Sequence, residues 1–121
     1  MQPTDEATKA YAQAPRVTRR IQVPVVTLDE LVDGQSISLL KLDVQGAEIK
    51  VIAGRYAALK ATTAILVEAN DMPHYEDGST FADVDQELTT LGFALWDVAA
   101  PARTLDGRAL WADMCYARVP A

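Results

Sequence analysis

Apolar positions along the chain follow two periods, and the switch between them marks the elements. Ile21 to Val26 is β-branched and reads as a strand; Pro24 cannot donate to a ladder and pushes it toward an edge. Thr27-Leu28-Asp29-Glu30 has the capping-box pattern, with the Thr27 hydroxyl on a first-turn amide and Glu30 reaching back to the cap. The short helix that follows carries Leu31 and Val32 and ends at Asp33-Gly34. Ile37 to Val44 is almost continuously apolar, with Leu40, Leu42 and Val44 on one face and Leu39 on the other. That is the pattern of a parallel strand buried from both sides. Gly46 turns it into a helix with Ile49, Ile52 and Tyr56 at helical spacing, and Gly54 is a break or cap.

A second apolar run, Ala64 to Val67, closes on Glu68. Asp71 to Ser79 is polar and reads as a loop. Thr80 and Asp83 form another capping box, and the helix behind it spaces Phe81, Val84, Leu88 and Leu91 along one face until Gly92 stops it. Phe93 to Val98 is a third strand, and Leu110 to Val119 a fourth, antiparallel to it across the Asp106-Gly107 turn. Alternating strands and helices predict an α/β fold whose sheet is mostly parallel, with a C-terminal antiparallel hairpin at its edge. Met1 to Arg20 carries no strong period and reads as an arm, in which Pro3 and Pro15 bracket an Ala-rich helical turn.

Composition narrows the setting. The chain has 121 residues, half of them hydrophobic, which is enough for one domain with one core. A formal net charge of −6 leaves no electrostatic footprint for nucleic acid and no basic face for anionic lipid. Arg16, Arg19 and Arg20 form the only dense basic stretch, a solvated leader by pattern. Cys115 stands alone, so no internal disulfide forms; it reads as a small core residue. Trp96 and Trp111, on the terminal strands, read as core or interface residues. The polar start, Met1 to Ala10, is no signal peptide, and no apolar run spans a membrane. The expected compartment is the cytoplasm.

The chemistry concentrates where apolar runs end. Ligands of open parallel α/β sheets bind beyond the carboxyl ends of the strands, and Asp43 and Glu68 each occupy such an end. Gly46 permits a tight turn, and the first-turn amides behind it favour an anion or carboxylate, with Glu48 among them. The plainer reading has Asp43 and Glu48 capping the helix and complementing its dipole. Lys41, within the strand, is either a partner for Asp43 or a snorkelling edge residue. His74, in the polar loop, is either a proton shuttle or simply an exposed side chain.

Leu39-Leu40-Lys41-Leu42-Asp43-Val44-Gln45-Gly46-Ala47-Glu48 resembles the signature of FkbM-type methyltransferases. Val25-Val26-Thr27-Leu28-Asp29-Glu30-Leu31 resembles the family's lead-in, Ile65-Leu66-Val67-Glu68 its next strand, and Leu91-Gly92-Phe93 the entry to the one after. The resemblance runs from Val23 to the end and implies a Rossmann-like, doubly wound methyltransferase fold, transferring a methyl group from S-adenosylmethionine to a substrate hydroxyl. Asp43 and Glu68 are then the catalytic candidates: Asp43 orients or deprotonates the hydroxyl and Glu68 helps to place the substrate. Lys41, Gln45, Glu48 and His74 are the candidates for substrate binding; no metal site is expected. Gln45 departs from the family's usual Glu, keeping size but losing charge, so a general-base or metal role there is lost.

The resemblance covers one half of the family's domain. In the family the adenosylmethionine site is built mainly from a first strand, its Gly-rich turn and an acid ending the second strand. No Gly-rich turn precedes Ile21. The expectation is therefore a truncated doubly wound sheet, residues 21–121 behind an arm of residues 1–20, inactive in isolation and with S-adenosylmethionine not bound by this chain alone. A central strand deprived of its neighbour leaves an open edge, which predicts a homodimer. The alternative function is a non-catalytic, dimeric α/β binding or interaction module.

Overall fold

The computed structural model describes residues 17–53 and 56–120. The Ala-rich turn of the arm, Arg16 and Gly54 lie outside them. The elements are α1 (Leu28–Val32), β1 (Ile37–Leu42), α2 (Glu48–Ile52), α3 (Tyr56–Lys60), β2 (Thr62–Asn70), α4 (Phe81–Thr90), β3 (Phe93–Val98), β4 (Ala102–Arg103) and β5 (Ala109–Arg118). Both capping boxes form. Glu30 donates its amide to the Thr27 hydroxyl at 3.2 Å, and the Thr27 amide donates to the Glu30 carboxylate at 2.8 Å. Thr80 and Asp83 repeat the exchange at the start of α4. That hydrogen bonding holds the Asp83 carboxyl below its usual pKa.

The sheet is α/β as expected, but its pairing corrects the expected direction. Its order is β1-β2-β5-β3, with β4 also on β5. Only β1 and β2 pair in parallel; β5 runs antiparallel to β2, β3 and β4. The last strand is therefore not on an edge hairpin but inserted between β2 and β3. Its burial explains the place. Leu110, Ala112, Met114 and Tyr116 are all buried and alternate with half-buried residues, whereas β3 is buried only at Phe93 and leaves Trp96 78% exposed. A strand with a full period of core residues takes the interior, and one with a single buried residue takes the edge.

Two further expectations fail. Ile21 to Val26 is not a strand: the segment pairs with no strand among the described residues, and Val25 is 89% exposed. β-branched residues form a strand only where a ladder receives them. The second is β1, which ends at Leu42 rather than Val44 and is not buried on both faces; Leu39 is 56% exposed. Leu40 and Leu42 face the helices with Ile65, Val67, Met114 and Tyr116, and α2, α3 and α4 close this core with Ile52, Leu59, Val84 and Leu88. The opposite face, with Leu39, Lys41, Leu66, Glu68, Asp113 and Cys115, is exposed or half-buried.

Arg118, at the end of β5, fastens the amino-terminal rim of the sheet. It donates to the Thr62 carbonyl at 3.0 Å, to the Leu91 carbonyl at 3.3 Å and to that of Leu59, with its guanidinium 4.3 Å from the Phe93 ring centre. Leu59 and Leu91 end α3 and α4, where carbonyls lack partners within the helix. Charge-assisted bonds to three carbonyls predict that Arg118→Ala lowers unfolding free energy by roughly 2–4 kcal/mol. Urea titration checks this; a loss below about 1 kcal/mol would leave Arg118 a mere surface cation.

Candidate functional site

The sequence from β1 into α2 sets up a sharp turn. Gln45 and Gly46 both adopt positive φ, 54° and 96°. Left-handed backbone is natural for glycine and costs a glutamine about 1 kcal/mol or more. The turn is held from inside. Glu48, only 2% exposed, accepts the Gly46 amide at 3.1 Å and the Ser79 hydroxyl at 2.7 Å, while the Ser79 amide donates to the Gly46 carbonyl at 2.9 Å. Glu48 thereby ties the turn after β1 to the loop that leads into α4. Gly78 completes the approach: a Cβ there would stand 2.9 Å from the Tyr75 carbonyl oxygen.

With the turn so fixed, the side-chain amide of Gln45 reaches from the end of β1 to Glu68, which lies within β2 and not at its end as the apolar run had suggested. The Gln45 Nε2 donates to Asp43 Oδ1 at 2.9 Å and to Glu68 Oε1 at 3.4 Å. Lys41 Nζ lies 3.7 Å from Asp43 Oδ2. Four of the residues singled out from sequence, Lys41, Asp43, Gln45 and Glu68, thus form one connected group. Glu48 turns inward and holds the backbone. His74 lies in the loop between β2 and α4, half-buried, and desolvation lowers its pKa below 6.5.

Glu68 is the electrostatic centre. Its pKa is raised from 4.5, first by burial, then by the negative charges of Asp43, Asp113 and Glu48, with the Gln45 hydrogen bond opposing. Asp113 sits opposite Glu68 in the β2–β5 register and is absent from the sequence-derived candidates. The signal for it was a lone carboxylate in the apolar run of β5. Asn70 and Ser79, both buried, were missed as well. Among the described residues no group of three or more His, Cys, Asp or Glu side chains is placed to hold a metal ion. No helix among them is long and apolar enough to cross a membrane.

This arrangement sets two carboxylates, Asp43 just past the end of β1 and Glu68 two residues before the end of β2, on either side of a neutral donor that bridges them. It can accept hydrogen bonds from a hydroxyl and take up its proton. A family model described as the methyltransferase FkbM domain matches residues 2–95, most of the chain. Comparison with curated proteins and with solved structures returns no match.

The raised pKa of Glu68 predicts a pH dependence. A folded-state pKa above the unfolded value means that the native state binds the proton more tightly. Stability is therefore lost as pH rises from the ordinary value of 4.5 through the raised one. Glu68→Gln should melt higher than the native protein at neutral pH, and the gap should close below the ordinary carboxylate range. Thermal melts at several pH values check this; a gap that widens on acidification reverses the sign and refutes it.

Proposed function

Since the chain belongs to the FkbM methyltransferase family, we propose that it carries the acceptor side of a methyl transfer from S-adenosylmethionine to a substrate hydroxyl. The observation behind this reading is the convergence of Asp43, just past the end of β1, with Gln45 and with Glu68 near the end of its parallel neighbour β2, the side on which α/β sheets bind ligands. Asp43, paired with Lys41, orients the hydroxyl. Glu68, whose pKa stands closer to neutrality than an ordinary carboxylate, takes its proton. The base role thus moves from Asp43 to Glu68, with Gln45 holding the two carboxylates in register.

The described residues do not fit the cofactor. Gly46 is the glycine turn that follows a parallel strand, and its amide is bonded to Glu48 and its carbonyl to Ser79. A turn whose polar groups are already satisfied offers nothing to a cofactor. The cleft beside it, about 370 Å³ and lined by Lys50, Asp77, Asp83 and Glu87 among others, is open to solvent. A cofactor-binding half supplied by another segment is part of the proposal.

The chain alone should bind S-adenosylmethionine weakly or not at all by titration calorimetry. A dissociation constant of about 1 μM, worth roughly 8 kcal/mol, would overturn the acceptor-side assignment. Joined to the amino-terminal half of a family member and assayed for labelled methyl transfer, the chain should turn over a hydroxyl acceptor. Asp43→Asn should then reduce kcat by about 10²-fold or more.

A second reading, the dimeric module, has one observation in its favour. Among the described residues β1 pairs with β2 alone, so its outer edge is open, with Leu39 exposed beside it. Open edges recruit strands, and a symmetric pair is the commonest cover. Light scattering coupled to size exclusion decides this: twice the 13.1 kDa chain mass supports a homodimer, and the single mass at every dilution rules it out.

A further inference from the structure

Residues 17–26 lead into α1 without joining a helix or a strand, and every one of them is exposed. Val17, Ile21, Val23, Val25 and Val26 are among them, a run of apolar, β-branched side chains left in water. Such side chains suit a pleated strand, and a cluster of them on the surface marks a contact to be made. The same chain carries a ladder open on one side. β1 bonds to β2 alone among the described residues, and Leu39 is exposed beside its outer edge. Segment and edge belong to one chain but do not meet within it. The helix between them, α1, is pinned to α3 by the Ala58 amide, which donates to Asp29 Oδ1 at 2.9 Å.

We propose that the Ile21 to Val26 segment of a second copy adds to the open edge of β1, antiparallel to it, each subunit giving its segment to the other. The proposal deepens the dimeric reading and rests on it. The backbone sets the phase. Ile37 donates its amide to the Ala61 carbonyl on the β2 side, so Ser38, Leu40 and Leu42 present theirs to the open edge. Segment and strand have six residues each, and end-to-end pairing puts Ile21, Val23 and Val25 opposite Leu42, Leu40 and Ser38. Pro24 then faces outward, where its missing N–H loses no bond and keeps a further strand from adding. Residues opposite one another share a face, so Ile21 and Val23 extend the apolar core face and Gln22 stands beside Lys41. Charge selects the direction. Antiparallel pairing carries Arg19 and Arg20 of the partner subunit just past Leu42, beside the half-exposed Asp43 carboxylate; parallel pairing would carry them to the far end of β1. The candidate site thereby gains a cation from across the interface. Because the exchange is reciprocal, two copies close on a two-fold axis.

Proline placed in one phase or the other tests this on the full chain. Light scattering across a dilution series should give twice 13.1 kDa for the native protein at high concentration. Val23→Pro removes an amide that must bond to β1 and should raise the dissociation constant of the dimer about tenfold or more. Gln22→Pro removes an outward amide and should leave that constant within about threefold. Both substitutions lie outside the core, so far-UV circular dichroism should match that of the native chain. Arg19→Gln combined with Arg20→Gln should weaken the dimer at low salt and less so at high salt. A dimer that survives Val23→Pro unchanged, or weakens as much with Gln22→Pro, overturns the exchange and leaves the dimeric reading standing. Loss of both arginines without effect at low salt overturns the antiparallel placing, and the proposal with it. A native chain of single mass at every dilution sinks the dimeric reading itself, so the two failures are separable.

Discussion

The buried carboxylate of Glu48 is the contact on which the rest of the site depends. Burying an acid costs several kcal/mol unless its oxygens are satisfied, and here both are, by the Gly46 amide and the Ser79 hydroxyl. Because those two donors stand 33 residues apart in sequence, satisfying one side chain fixes the separation of two loops. The left-handed backbone at Gln45 follows from this. The turn cannot relax without breaking the Glu48 contacts, so Gln45 keeps an unfavourable conformation that places its amide across Asp43 and Glu68. Strain localised at a candidate site and sustained by burial elsewhere is a common economy of active sites.

A second constraint is the insertion of β5. A strand running against all its neighbours brings Asp113 beside Glu68, and it carries Arg118 to the opposite rim. One strand therefore contributes charge to the site at one end and closes helix ends at the other. The buried alternation Leu110, Ala112, Met114, Tyr116 stands between. Tyr116 shows how fully that middle is desolvated: it is 0% exposed, its hydroxyl donates to Asp85, and burial raises its pKa well above the usual phenol value. Helix-facing residues supply the cohesion of the sheet, and the half-buried face is left free for chemistry.

Much of this was legible in the residues. Capping boxes at Thr27 and Thr80 are local, two side chains three residues apart, and they appear as read. Phe93–Val98 was legible for the same reason, an apolar run between Gly92 and a turn. Asp43 stands just past β1 as its place after an apolar run suggested, whereas Glu68 closes an apolar run but lies within β2, two residues before its end. What could not be read was pairing. Whether β5 lies at an edge or inside depends on how many of its positions find a helix to face, a long-range property. Ile21 to Val26 failed for the converse reason: its composition suits a strand, but a strand needs a partner that local sequence does not supply. Asn70 and Ser79 escaped because neither residue type is unusual in a loop or at a strand end. Only burial gives them meaning.

The exchange of Glu for Gln at position 45 connects these points. Glutamate there would place a third carboxylate within reach of Asp43 and Glu68, both already negative. Mutual repulsion would then demand a cation, or a shared proton, to hold the turn. Glutamine supplies two N–H donors and no charge, so the two carboxylates are bridged by the chain's own side chain. Their remaining lone pairs are still open to a donor from outside. A site that satisfies itself partly and only with acceptors left over is poised for a ligand that donates. That imbalance, rather than any single residue, is the physical ground for the proposal that this end of the sheet binds a ligand.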